Sequence, residues 1–162
     1  MNFRIGYGSD IHRLEAGKPL VLGGVSIESD FGAVGHSDAD ALFHAVTDAL
    51  FGALALGDIG AHFSDKDARW KNADSFVFLA EAVRMLQEKG FAIGNLDTTI
   101  NLEKPKLRPH IDRMRENLAR ILETEIENVS VKAKTGEKVD AVGKSKAVKA
   151  EAVVLLVKTT AS

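Results

Sequence analysis

The chain has 162 residues, 45% hydrophobic and 27% charged, with no cysteine and a formal net charge of −2. That length and balance suit a folded domain with a sizeable core and exclude fibrous and disordered classes. Near-neutral charge excludes coating nucleic acid or an anionic membrane by bulk charge, and the missing thiols exclude disulfides, iron–sulfur clusters and thiolate zinc sites, so any metal must be held by His and carboxylates. No apolar run approaches the roughly 20 residues of a helical membrane span, and the segment before Asp10 has no apolar signal core. The expectation is one cytoplasmic domain over residues 1–162, with no nucleic-acid or membrane partner.

Residues 3–7 and 19–27 read as strands, the second interrupted by a Gly23-Gly24 turn. Asp40 to Leu56 follows a helical period through Leu42, Phe43, Val46, Leu50, Ala53 and Leu54, with Ser37 or Asp38 as cap and Gly57 as stop. Asp58 to Ala73 has few periodic features, and a loop of that length is commonly a lid or a binding loop. A second helix runs from about Ser75 to Lys89 between a capping Asp74 and Gly90, with Phe76, Leu79, Val83 and Leu86 as its buried stripe. Phe91 to Leu102 reads as a strand. Pro109 to Glu123 reads as a helix with Ile111, Met114, Leu118 and Ile121 on one face. Val129 to Ala133 alternates like a strand, and Ala150 to Lys158 reads as a buried one. The order predicts a two-layer α+β arrangement, a mixed sheet covered on one face by helices.

Four stretches carry chemistry. In Asp10-Ile11-His12 an extended backbone points the carboxylate and the imidazole the same way, which suits a divalent metal or is a surface accident. Gly35-His36-Ser37-Asp38-Ala39-Asp40 runs into a helix where Asp40, His44 and Asp48 share a face. There His36 and Ser37 at the helix start offer an anion site, and Asp48 or Asp40 offers a partner for the second ring nitrogen of His44. The alternative is plain capping with His44 in the core. Asp10, His12 and His44 together make a two-histidine, one-carboxylate set, which leaves a tetrahedral ion one open position.

The third stretch, Lys132 to Lys138, leaves a strand into a Gly-containing turn. Thr135, Glu137 and the lysines there suit a phosphate with its own cation, or form a solvated basic edge. The fourth, Glu103-Lys104-Pro105-Lys106-Leu107-Arg108-Pro109, is a proline-braced loop that can present fixed backbone groups. Gly6-Tyr7-Gly8 lacks the third glycine of a dinucleotide fingerprint, and no Walker-type loop occurs.

Taken in order, Asp10-Ile11-His12, Gly35-His36-Ser37-Asp38-x-Asp40, His44-x-x-Thr47-Asp48-Ala49, Leu56-Gly57-Asp58-Ile59-Gly60, Phe63-x-Asp65-x-Asp67, Pro105-Lys106-x-x-Pro109-His110 and Lys132-Ala133-x-Thr135-x-Glu137-Lys138 resemble the 2-C-methyl-D-erythritol 2,4-cyclodiphosphate synthases. The resemblance covers about Arg4 to Lys158. It implies a bacterial cytoplasmic homotrimer with active sites at subunit interfaces, a phosphorus–oxygen lyase of isoprenoid biosynthesis. The implied substrate is 4-diphosphocytidyl-2-C-methyl-D-erythritol 2-phosphate; the products are the cyclic diphosphate and CMP.

The resemblance assigns zinc, or Mn²⁺ or Co²⁺, to Asp10, His12 and His44. It gives His36 and Thr135 the steadying of the transition state, Ser37 a substrate contact, and Glu137 a Mg²⁺ or Mn²⁺. Asp58, Ile59, Gly60, Phe63, Ser64, Asp65, Lys66 and Asp67 would meet the methylerythritol end, with Ile11 a further substrate contact. Leu102, Glu103, Lys104, Pro105, Lys106, Leu107, Arg108, Ala133, Lys134 and Thr135 would form the cytidine side of a neighbouring subunit, with Gly136 and Lys144 further contacts. Ser64 replaces a common Pro, Lys134 and Gly136 replace small polar residues, and Ala141 replaces a frequent aromatic. Lys144-Ser145-Lys146 replaces an Arg-x-Glu pattern facing a threefold-axis cavity that accepts isoprenoid diphosphate or another anion. A metal-dependent phosphohydrolase and a non-catalytic trimeric binding module are the alternatives.

Overall fold

A computed structural model describes residues 2–64 and 66–159. Its central sheet has five strands: β1 (Phe3–Ala16), β4 (Phe31–Val34), β5 (Phe91–Asn101), β6 (Val129–Lys134) and β7 (Ala147–Lys158). They lie in the order β4-β1-β7-β5-β6. Among the described residues only the β5–β6 pair is parallel, and a helical crossover joins those two strands, as a parallel pair requires. A separate hairpin of β2 (Leu20–Leu22) and β3 (Val25–Ile27) turns at Gly23-Gly24, where both residues have positive φ.

The helices are α1 (Ala41–Ala53), the single turn α2 (Ile59–His62), α3 (Ser75–Glu88) and α4 (Ile111–Leu122). None of them is long and apolar enough to cross a membrane. One face of β1 and β7 lies under α1, and α3 packs on α1 while α4 packs on β6. Leu42, Phe43, Val46, Leu50 and Phe51 of α1 are buried together with Val148, Ala150, Ala152, Val154 and Leu156 of β7. Burial of each larger side chain of this kind is worth about 1.5–3 kcal/mol.

Several expectations are corrected. Strand β1 runs to Ala16, well past residue 7, because its polar Ser9, Asp10, His12 and Arg13 pair with β7 as fully as its apolar residues, and Arg13 to Ala16 pair with β4. Strand β7 starts at Ala147, and its outer face, with Val153 and Val157, is exposed rather than buried. Helix α1 begins after Asp40, whose carboxylate caps Leu42 and Phe43. Ala39 has φ of +57°, a left-handed turn that prevents a helix from starting at Ser37 or Asp38. The helix ends at Ala53, before Gly57. On α3, Phe78 takes the core place expected of Phe76, which is exposed.

Candidate metal centre and substrate clefts

The centre is built from close approach. Gly6, Gly8, Asp10 and His12 alternate onto the β1 face that meets α1. A methyl on Gly6 or Gly8 would stand 1.9 Å or 2.1 Å from the carbonyl oxygens of Ala49 and Ala45, so the two glycines let the helix backbone settle onto the strand. Their neighbours on the same face then converge with His44 of α1.

Asp10 Oδ2 lies 2.7 Å from His12 Nε2 and 3.0 Å from His44 Nδ1, and the two ring nitrogens are 3.3 Å apart. Ligands about 2.0–2.1 Å from a tetrahedral zinc stand roughly 3.3 Å from one another, so the triangle closes around an ion with small outward shifts. The side chains are half-buried. Among the described residues this is the one group of three or more His and acidic side chains close enough to share an ion. The donor set fits a divalent metal.

Burial alone would raise Asp10, but hydrogen bonds and charge from His12 and His44 hold its carboxyl well below the ordinary range. Burial alone would lower His12, but the Asp10 carboxylate and the Val34 carbonyl raise it. Asp10 is therefore an anion at neutral pH, ready to ligate.

His44 Nε2 faces two hydroxyls, Ser75 Oγ at 2.8 Å and Ser37 Oγ at 3.1 Å. They occupy the place expected of Asp40 or Asp48. The Asp40 carboxylate is fully buried and accepts from Gly23 N (2.9 Å), Gly24 N (2.7 Å), Leu42 N (3.1 Å) and Phe43 N (3.0 Å). The N–H groups of Leu42 and Phe43 at the α1 start are therefore taken by Asp40, while His36 and Ser37 line the cleft beside the triad. Burial pushes the Asp40 carboxyl up to about 6 despite the amide hydrogen bonds. Asp48 instead accepts from Ile59 N at 2.7 Å, which ties the loop after α1 to the helix.

A cleft of about 360 Å³ opens beside the triad, lined by His12, His36, Ser37, His44, Ile59, Gly60, Phe63, Trp70 and Phe78. Phe63 packs on Phe78 (4.7 Å between ring centroids) and edge-on to Trp70 (5.2 Å), giving the cleft an aromatic floor. Ile59, Gly60, Phe63 and Trp70 of the loop after α1 thus form a wall of the cleft. Sequence reasoning missed Trp70 and Phe78: the first stands alone in a non-periodic loop, and the second was hidden by an assumed Phe76 stripe.

The other residues of that loop look after the backbone. Asp58 caps α2 through Ala61 N, Ser64 Oγ accepts from Lys66 N, and Asp67 pairs with Arg69. Asp65 lies outside the described residues. Ile11 points to the opposite, exposed face of the sheet.

A second cleft, of about 550 Å³, is lined by Leu102, Glu103, Pro105, Lys106, Leu107, Arg108, Ile111 and residues 131–135, which include Ala133, Lys134 and Thr135. Glu103 accepts from Gly136 N at 3.0 Å, and Leu102 N donates to the Lys134 carbonyl, so the loops after β5 and β6 brace each other. Thr135 Oγ1 donates to exposed Glu137 at 3.0 Å. Lys104 leans over the Phe31 ring, and Lys144 lies in the turn before β7; neither lines either of these two clefts. The two clefts share no residue, so one chain brings the triad, His36 and Ser37 together and keeps them apart from the residues 102–108 and 133–135.

A model of the YgbB family matches residues 3–157. The 2-C-methyl-D-erythritol 2,4-cyclodiphosphate synthase of Brachyspira hyodysenteriae is 53% identical over 156 residues, 96% of this chain and 99% of that protein. A solved 2C-methyl-D-erythritol-2,4-cyclodiphosphate synthase in a CDP-bound form superposes with a TM-score of 0.88 at 44% identity, over 94% of this chain and 99% of that one. IspF of Plasmodium falciparum in complex with CDP gives a TM-score of 0.87 at 33% identity, over 98% of both chains. With its sheet order, its triad and this similarity along nearly its whole length, the chain belongs to the YgbB family.

Proposed function

We propose that the chain converts 4-diphosphocytidyl-2-C-methyl-D-erythritol 2-phosphate to 2-C-methyl-D-erythritol 2,4-cyclodiphosphate and CMP, as a phosphorus–oxygen lyase in isoprenoid precursor biosynthesis. The observation that carries this reading is the convergence of Asp10, His12 and His44 beside His36 and Ser37 in a member of this family. An oxygen of the substrate's own 2-phosphate attacks the β-phosphorus. The bond from that phosphorus to the oxygen bridging to CMP breaks, and CMP leaves with the electron pair. The protein supplies no nucleophile.

Asp10, His12 and His44 would hold zinc, or Mn²⁺ or Co²⁺, and Glu137 a Mg²⁺ or Mn²⁺ on the diphosphate; such ions supply Lewis-acid charge and a template. His36 and Ser37 steady the 2-phosphate, and Thr135 the departing end. Ile59, Gly60 and Phe63, over the Phe78 and Trp70 rings, take the methylerythritol carbons and exclude water that would otherwise hydrolyse the β-phosphate. Holding nucleophile and phosphorus in line contributes up to about 7–11 kcal/mol.

The reading includes a cytoplasmic homotrimer. Phe3, Ile5, Tyr7, Ile11, Val153 and Val157 leave the outer sheet face apolar and exposed, the kind of patch that subunit contacts cover. The separation of the two clefts supports sites assembled from two subunits, with the cytidine on residues 102–108 and 133–135. The shared sheet and core support a single domain. Lys144 and Lys146, repeated three times around an axis, would favour an isoprenoid diphosphate or another anion there.

The test is incubation of the purified protein with the diphosphocytidyl substrate, zinc and magnesium, followed by phosphorus NMR. CMP with a cyclic diphosphate is expected. Linear phosphates would make the protein a hydrolase, and absence of turnover would leave a binding module.

A further inference from the structure

We propose that Ser75 is a positioning residue for His44: its hydroxyl, aimed by Asp38, holds the imidazole so that Nδ1 presents its lone pair to the ion. The inference rests on the metal assignment above and extends it to residues that touch neither ion nor substrate.

The geometry gives the bonds a direction. Ser75 is fully buried and lines neither cleft. Its Oγ–H donates to Asp38 Oδ1, and its backbone N–H donates to Asp38 Oδ2 at 3.1 Å. The carboxylate can only accept, so the single hydroxyl proton is committed to it. Toward His44 Nε2, 2.8 Å away, Ser75 Oγ can then only accept. When Nδ1, on the side of Asp10 and His12, ligates an ion, Nε2 carries the ring proton and donates it to this acceptor; without an ion, Nδ1 is the atom that hydrogen-bonds Asp10. Metal-bound histidines commonly use such an outer partner to fix tautomer and ring orientation.

Ser37 Oγ, 3.1 Å from the same nitrogen, is a weaker candidate. It lines the cleft, no carboxylate orients it, and it already accepts from Ala39 N. The Asp38–Ser75 clamp is also anchored in the backbone. Asp38 N donates to the Ala73 carbonyl and Asn72 N to the His36 carbonyl, so the segment before α1 is laced to the entry of α3. His44 is steered by a helix other than its own.

The test measures zinc affinity of the full chain by competition with a chromophoric chelator, and the visible spectrum after cobalt substitution. Ser75→Ala should weaken zinc binding by about 10–100-fold and shift the cobalt bands, while the far-UV circular dichroism and melting temperature of the metal-free protein stay close to wild type. Should Ser75→Ala not fold, Asp38→Asn, which keeps the shape but supplies one acceptor oxygen instead of two, decides by the same measurement. A folded variant that loses less than tenfold in affinity, or that loses melting temperature alone, overturns the role of Ser75. A wild-type protein that takes up no zinc, or a His44→Ala variant that binds it equally well, overturns the metal assignment itself.

Discussion

Gly8 lies so close beneath Ala45 that a methyl on it would stand 2.1 Å from the Ala45 carbonyl oxygen and 2.6 Å from Ala49 N. Both are backbone atoms, so no rotamer change relieves the clash and α1 itself must lift. Asp10 follows Gly8 by two residues on the strand, and His44 precedes Ala45 on the helix. Lifting α1 therefore opens the triad. Gly8→Ala should destabilise the protein by about 1–3 kcal/mol, as overpacking does, and weaken zinc binding at least tenfold. Gly52, on the exposed side of α1, is the control, because a methyl there meets nothing nearer than 3.5 Å. Gly52→Ala should stabilise by roughly 0.5–1 kcal/mol through helix propensity. Urea unfolding of both variants measures the contrast; equal effects would mean that the strand–helix approach is not what sets the site.

This dependence explains what could be read from the sequence. Periodicity and caps mark α1, α3 and α4 because each buries a stripe and is bounded by residues such as Asp74 and Gly90. The motifs that carry the family resemblance include all three members of the triad. Strand β1 beyond residue 7 is hidden because Asp10 and His12 are polar for a reason of chemistry, not of exposure, and Arg13 is polar and exposed. The role of Gly6 and Gly8 appears only once a helix lies across them. Ser75 reads as an ordinary helix-start residue beside Asp74; that its hydroxyl points at an imidazole 31 residues earlier is tertiary information.

Zinc and protons should compete visibly. The Asp10 carboxyl is held below its usual value of 3.8, so its contribution to stability is present above that pH and lost as pH falls further. His12 is held above 6.5, so its contribution is present below that pH and lost as pH rises through the folded value. The metal-free pair thus supports folding best between about pH 4 and 6.5. Zinc needs neutral imidazoles, so its stabilisation grows over the range where the pair's contribution fades. The zinc-induced rise in melting temperature should be larger at pH 8 than at pH 5.5. A larger rise at the lower pH would mean that the ion sits elsewhere.

Asp40 makes a separate prediction. Its two oxygens take four backbone N–H groups, three on Oδ1 and Gly24 N on Oδ2. In Asp40→Asn the side-chain amide would face the Gly24 donor, leaving a buried N–H unpaired at about 1–3 kcal/mol. Because burial raises the carboxyl to about 6 from 3.8, the stability this group gives the wild type is full below 3.8 and lost as pH rises through 6. The wild-type advantage over Asp40→Asn should therefore be widest near pH 4 and narrow toward pH 7 in urea unfolding. A gap that widens with pH would mean that the amides, not burial, dominate at this cap.

The outer sheet face gives the sharpest separation of fold from assembly. Ile5 is 66% exposed in the single chain, opposite the face that packs against α1. Ile5→Glu costs the isolated subunit little, because surface substitutions usually lie within about 0.5 kcal/mol. In a trimer that buries this face, three carboxylates would lose their water without a partner. The variant should keep its circular dichroism and its zinc affinity but sediment as a monomer. In the composite site proposed above a neighbouring subunit would supply the 102–108 cleft to the triad cleft, so turnover should then fall by two orders of magnitude or more. An Ile5→Glu monomer with wild-type turnover would mean that a single chain closes both clefts around one substrate, and the composite site would have to be abandoned.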